Sequence, residues 1–163
     1  NRREDFRYLA GRRAELGPEL SSRLTPGMIR EGLLDRPGWE LLKSVVTGDS
    51  EHLQRTVRIP IEGLRRALRM ERIDDLKGCN YSVNRSALDA LNGFDEAYEG
   101  YGREDTDIEI RLQNLGYRIK SLKGLALQYH VWHPRREFTP VNETLLDDAR
   151  RTGRIRCERG LAP

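Results

Sequence analysis

The chain has 163 residues, of which 34% are charged, and Lys+Arg 29 against Asp+Glu 26 leaves a formal net charge of +3. That length buries one ordinary core and argues against two independent domains, while the near balance of charge excludes a polycation and leaves locally basic, mostly Arg, surfaces. An aromatic fraction of 7% is too small for a stacking platform on single-stranded nucleic acid, no apolar run approaches the roughly 20 residues that span a bilayer, and Asn1-Arg-Arg-Glu-Asp5 does not resemble a signal peptide.

Cys79 and Cys157 stand far apart and outside any CxxC pair. This argues against a zinc site or disulfide framework and for a reducing compartment, with a single long-range disulfide left open. In chain order, residues 6–11 and 12–16 read as a helix end and a strand. Gly17-Pro18 suggests a turn, and Ser21-Ser22 or Thr25-Pro26 a helix start with Pro at the first helical position. Met28, Ile29, Leu33 and Leu34 make an apolar face that Asp35-Arg-Pro-Gly38 ends. Trp39–Val46 reads as a short helix stopped at Gly48, and residues 57–60 as an extended piece.

Ile61, Leu64 and Leu68 recur at i, i+3 and i+7, with Arg65, Arg66, Arg69 and Arg72 around the other face. This is either a surface helix whose arginine stems pack while their heads stay wet, or a helix facing phosphate or acidic lipid. Residues 78–84 alternate as a strand with Asn80 and Ser82 on one face, where both must find partners in nearby backbone or in a ligand. Arg85–Leu91 is a short helix ending at Asn92-Gly93.

The stretch from Gly93 to Leu112 is rich in Gly, Tyr and carboxylates. Gly100 and Gly102 free the backbone for positive φ or for close approach to a ligand, which predicts a tight, exposed turn. A helix follows over 103–115, with Ile108, Leu112 and Leu115 on one stripe and Gly116 as its stop. Glu104, Asp105 and Asp107 fall near its first turn, where carboxylates favour the macrodipole whether or not they have any further role. Residues 117–122 and 126–132 read as strands, the second closed by Pro134. His130 and His133 sit three apart at that strand end, where a curl of the chain brings both imidazoles toward one point. They are either packed and hydrogen-bonded, or ligands with oxygen partners for Mn²⁺ or a similar divalent ion. His52 has no such company. Residues 142–154 form a helix with Leu145, Leu146 and Ala149 inward, followed by a basic end.

The blocks Gly78-x-Asn80-x-Ser82-x-x-Arg85, Gly93-Phe-Asp-Glu96, Gly100-Tyr-Gly-Arg-Glu-Asp-Thr-Asp107 and His130-x-x-His133-Pro134 resemble, in order and spacing, the C-terminal half of family 2 GT-A glycosyltransferases. This is the galactosyltransferase-like region also found in β-1,4-galactosyltransferases, and the match covers residues 77–135. Within residues 10–34, Gly-x-Arg, Leu and Leu-Thr-Pro are similar to the middle region of bacterial members.

The resemblance implies an α/β fold, the C-terminal portion of a GT-A (nucleotide-diphospho-sugar transferase) fold, with a short mixed sheet flanked by helices. Residues 1–76 would be a variable helical region, 77–135 the acceptor and catalytic region, and 136–163 a C-terminal helix and basic tail. The implied activity is metal-dependent, inverting transfer of a hexose from a nucleotide-diphosphate sugar, a UDP-sugar, to a saccharide or glycolipid acceptor in bacterial polysaccharide biosynthesis. The setting is cytoplasmic and peripheral to the inner membrane, with no nucleic-acid partner.

By the same resemblance Asp105 is the general base and Glu104 hydrogen-bonds the acceptor. Tyr101 forms the sugar platform, with Gly102 and Arg103 in the same acceptor block. Gly78, Asn80 and Ser82 belong to the structural, donor side, and His133 with His130 binds Mn²⁺ or Mg²⁺. An inverting transfer needs one base behind the acceptor oxygen and positive charge on the departing diphosphate, so one carboxylate and a metal meet both needs, unlike the acid–base pair of inverting glycoside hydrolysis.

The family's nucleotide-binding half ends in Asp-x-Asp, and no such motif opens this chain. Asp105-Thr-Asp107 has the spelling but lies in the acceptor block. The resemblance therefore implies an upstream donor half and incomplete activity for this chain alone. Two other classes are a non-catalytic carbohydrate-binding or scaffold module, and an arginine-rich nucleic-acid binder, for which no motif is present.

Overall fold

The computed structural model describes residues 6–35 and 38–162. Residues 1–5, read above for a signal peptide, and Arg36-Pro37 of the expected turn lie outside the described residues. The chain runs β1 (Arg7–Ala10), β2 (Arg12–Glu15), α1 (Pro18–Arg23), α2 (Pro26–Arg30), α3 (Trp39–Val46), a 3-10 turn (Leu53–Thr56), α4 (Glu62–Ala67), β3 (Tyr81–Ser82), α5 (Arg85–Leu91), α6 (Glu104–Asn114), β4 (Arg118–Ser121), β5 (Leu127–His130) and α7 (Val141–Thr152). It is mixed α/β with short sheets and divides into two compact units.

The first unit gathers Asn1–Ala10, Glu71–Leu122 and Arg136–Pro163. Its sheet has the order β3-β1-β4, with β1 antiparallel to β3 (Leu9 opposite Ser82) and parallel to β4 (Tyr8 opposite Ile119). Residues 6–11, expected as a helix end, contain β1 instead. Tyr8 and Ala10 are wholly buried while Arg7 and Leu9 between them are not, so burial alternates with the period of a strand. The expected strand over 78–84 contracts to Tyr81–Ser82. The preceding residues turn, with the Asn80 N–H donating to the Lys77 carbonyl at 2.8 Å, so Asn80 lies in the turn and Ser82 is exposed at β3.

α6 places Ile108 and Leu112 in a core with Tyr8, Leu76, Leu91 and Tyr117, and Leu115 packs at its edge, as the stripe predicts. The helix stops where Gly116 takes φ +91° and the Tyr117 N–H donates to the Leu112 carbonyl at 2.9 Å. Leu146 and Ala149 of α7 are fully buried and Leu145 partly so. Both cysteines are free thiols, so the long-range disulfide left open does not form.

The second unit gathers Gly11–Met70 and Lys123–Arg135. β2 and β5 pair in parallel, setting Glu15 opposite His130. Leu16, Leu20 and Leu41 form its core, with Leu34, Leu53 and Tyr129 against them. Gly17-Pro18 opens α1 rather than making a separate turn, because Asp49 accepts the free N–H groups of Glu19 (3.0 Å) and Leu20 (3.1 Å). Thr25 caps α2 through a bond from the Met28 N–H at 3.2 Å, with Pro26 first in the helix. α2 ends at Arg30, so Met28, Ile29, Leu33 and Leu34 do not form one buried face, and only Leu34 reaches the core cluster.

α3 occupies the predicted span. α4 reverses the expected orientation, since Ile61, Leu64 and Leu68 are exposed while Arg65 turns inward and donates from Nε to the Lys123 carbonyl at 3.2 Å. That bond is part-buried, and a helix of only six residues presents too short a stripe to build a core of its own. Residues 57–60 form no regular strand and are tied by the Ile59 N–H to the Gly124 carbonyl at 2.8 Å. Among the described residues no helix is long and apolar enough to cross a membrane.

Candidate active site

The turn before α6 is held from several sides. Gly102 has φ +110°, and a Cβ there would come within 2.6 Å of the Phe138 ring, so both backbone shape and contact require glycine. Its N–H donates to Glu104 Oε2 at 3.0 Å. The buried Asn142 of α7 donates to the carbonyls of Gly102 (2.8 Å) and Glu99 (3.0 Å). Tyr101 exchanges bonds with Thr139, at 3.1 Å to its Oγ1 and 3.0 Å from its N–H. Arg103 bonds Glu143 at 2.6 Å and lies over the Phe138 ring, 5.6 Å from its centre.

The acids of α6 separate by helical face. Asp105 is partly buried and accepts the Gly78 N–H at 2.8 Å. A Cβ on Gly78 would sit 1.9 Å from Asp105 Oδ1, so that position needs glycine as well. Asp107, by contrast, is fully buried and bonded to the equally buried Arg111 at 2.7 Å. Arg111 in turn donates to the carbonyls of Leu91 (2.9 Å) and Gly93 (3.0 Å). Burial and the charge of Asp107 push the Tyr98 hydroxyl well above the usual phenol range. Asp107 is thus a clamp on the Gly93 loop. Tyr81 of β3 is half-buried, and burial first and the Asp105 charge second raise its phenol.

Asp105 opens onto a cleft of about 430 Å³ walled by Tyr101, Gly102, Arg103, Glu104 and Phe138, with Lys77 also lining it. Tyr101 is 47% and Phe138 45% exposed, so both present apolar ring surface at the cleft wall, with Arg103 over the Phe138 ring. A carboxylate beside two accessible aromatics can receive a proton from a hydroxyl whose carbon skeleton lies on those rings. The structure therefore brings together Tyr101, Gly102, Arg103, Glu104, Asp105 and Gly78. Asn80 and Ser82 do not wall this cleft.

In the second unit, the rings of His130 and His133 stand edge to face with centres 5.1 Å apart. His130 Nδ1 is 2.9 Å from Glu15 Oε2, its partner across the β2–β5 pair. His133 is exposed, with Nδ1 2.9 Å from the Pro134 carbonyl. The two imidazoles are ligands of a kind that suits a divalent cation. They are a partial set, since among the described residues no group of three or more His, Cys, Asp or Glu is gathered so as to hold a metal ion.

Several residues of these sites escaped the sequence reading, among them Lys77, Thr139, Glu143 and the cleft-lining Glu109. Glu109 was accessible through its i+4 spacing from Asp105. Phe138 and Asn142 meet the turn only through tertiary packing, and Glu15 meets His130 only through strand register.

No curated protein and no solved structure matches the chain at a significant level. Residues 60–134, which contain Gly78, Asp105 and His133, match the family model described as the N-terminal domain of galactosyltransferase.

Proposed function

We propose that the chain is the acceptor-binding and catalytic part of an inverting hexosyltransferase of GT-A fold, with Asp105 as its base. The match of residues 60–134 to the galactosyltransferase family model supports a glycosyltransferase in general, acting with a nucleotide-sugar donor and a saccharide acceptor. The observation that carries the finer reading is the Asp105 carboxylate on the wall of a cleft flanked by the exposed rings of Tyr101 and Phe138.

The acceptor sugar lies on those rings, and Glu104 and Arg103 bond its hydroxyls. Asp105 takes the proton of the attacking hydroxyl as the new bond forms at the anomeric carbon of a UDP-hexose; the bond to the diphosphate breaks, and its electron pair leaves on the diphosphate. His133 and His130 would hold a divalent cation, Mn²⁺ or Mg²⁺, which would supply positive charge for a donor diphosphate. Gly78 holds Asp105 through its N–H, while Asn80 and Ser82 serve the donor side. A nucleotide-binding half supplied upstream completes the donor site. Exposed Ile61, Leu64 and Leu68 beside the exposed Arg66 and Arg69 support peripheral contact with a membrane that presents a glycolipid acceptor, consistent with polysaccharide assembly in a bacterial cytoplasm.

The test is transfer from UDP-hexoses to saccharides by the chain joined to its donor half. Tyr101→Ala and Phe138→Ala are each expected to raise the acceptor KM about tenfold, the loss of one aromatic stacking contact, and to leave the donor KM unchanged. Intact transfer with neither KM altered contradicts the placing of the acceptor.

A further inference from the structure

Glu109 is a buried carboxylate that the proposed transfer leaves unused. It lies one turn beyond Asp105 on the face of α6 that lines the cleft. Among the described residues its bonds come from neutral groups: the Tyr8 hydroxyl at 2.9 Å, the Leu76 N–H at 2.9 Å and the Gln113 amide at 3.4 Å. Gly78, two residues after Leu76, donates its N–H to Asp105 at 2.8 Å. The strap 76–78 is therefore slung between two carboxylates of one helix.

Taking Asp105 as the base, we infer that Glu109 is a positioning residue, which fixes the strap so that the Gly78 N–H stays on Asp105 and whose own negative charge makes Asp105 hold a proton more strongly. A like charge one turn away in a partly dry site disfavours ionisation of its neighbour. Around the pair stand Tyr8 from β1, Tyr81 from β3, Asp75 and Lys77 beside or within the strap, and Arg103 and Glu104 from the turn. Lys77 is paired with Asp75 at 2.8 Å and Arg103 with Glu143 at 2.6 Å, so these cations are engaged away from Glu109. Glu104 adds charge of the same sign.

An NMR pH titration of the chain itself tests this without any substrate, because the Gly78 amide proton is bonded to Asp105 and reports its ionisation. In Glu109→Gln the amide oxygen still accepts the Leu76 N–H while the charge is gone. The midpoint read at Gly78 is expected to fall by about half a unit or more, the effect of removing a like charge about 5–6 Å away between Cβ atoms. Glu109→Asp is expected to restore it toward the parent value. A midpoint unmoved in Glu109→Gln, or a Gly78 amide that does not titrate in the acid range, overturns the inference.

If the Gln variant does not fold, hydrogen exchange of the parent chain decides: the Leu76 and Gly78 amides, each bonded to a carboxylate of α6, are expected to be protected together, whereas an unprotected Leu76 amide overturns the inference. The titration reads proton affinity rather than turnover, so its failure is distinct from failure of Asp105 as the transferase base.

Discussion

At the scale of single residues, α6 assigns different roles to carboxylates of one sequence block. Asp105 keeps access to a cleft, Glu109 holds the strap, and Asp107 is sealed against Arg111. Removing Arg111 leaves the buried Asp107 with only Arg154 at 3.6 Å and the Tyr98 hydroxyl at 3.3 Å, so Arg111→Met is expected to cost about 3 kcal/mol, the low end for a broken buried pair. Chemical denaturation measures this, and a loss below about 1 kcal/mol, the scale of an exposed pair, contradicts the clamp. Gly78→Ala forces a methyl into Asp105 and is expected both to lower the melting temperature and to displace the carboxylate, seen as lost transfer even where the protein stays folded.

The buried phenols fix the alkaline side of stability. Tyr8 and Tyr98 are raised above the ordinary phenol value, chiefly by burial. Their contribution is complete below the unfolded phenol value and is lost as pH rises through it toward the folded one. Stability measured by denaturation is therefore expected to decline above about pH 10, and less steeply in Tyr98→Phe. A Tyr98→Phe profile parallel to the parent's contradicts that assignment.

At the scale of elements, legibility followed the strength of local signals. α3, α5 and α6 were readable because capping or stop residues and apolar spacing agreed, and the Asn92-Gly93 stop coincides with positive φ at both residues. β1 and α4 were misread because tertiary partners decide them: β1 is paired on both edges, and α4 yields its inner face to Arg65. The turn of the candidate site was legible in its glycines and acids. Its support by α7 was not, since Asn142 lies 40 residues from the Gly102 carbonyl it holds. Asn142→Ala strands two carbonyls and is expected to cost about 1–3 kcal/mol, with the acceptor KM rising as the turn loosens. Unchanged stability contradicts that support.

At the scale of the molecule, the segment 60–134 that matches the galactosyltransferase family model contributes to both compact units, with Asp105 in one and the paired histidines in the other. The most direct measurement is the turnover of Asp105→Asn, joined to the donor half, with acceptor binding followed beside it. The account predicts turnover lower by about 10²- to 10⁴-fold, the usual worth of a general base, while acceptor affinity stays within a few fold. Turnover near that of the parent protein would contradict it.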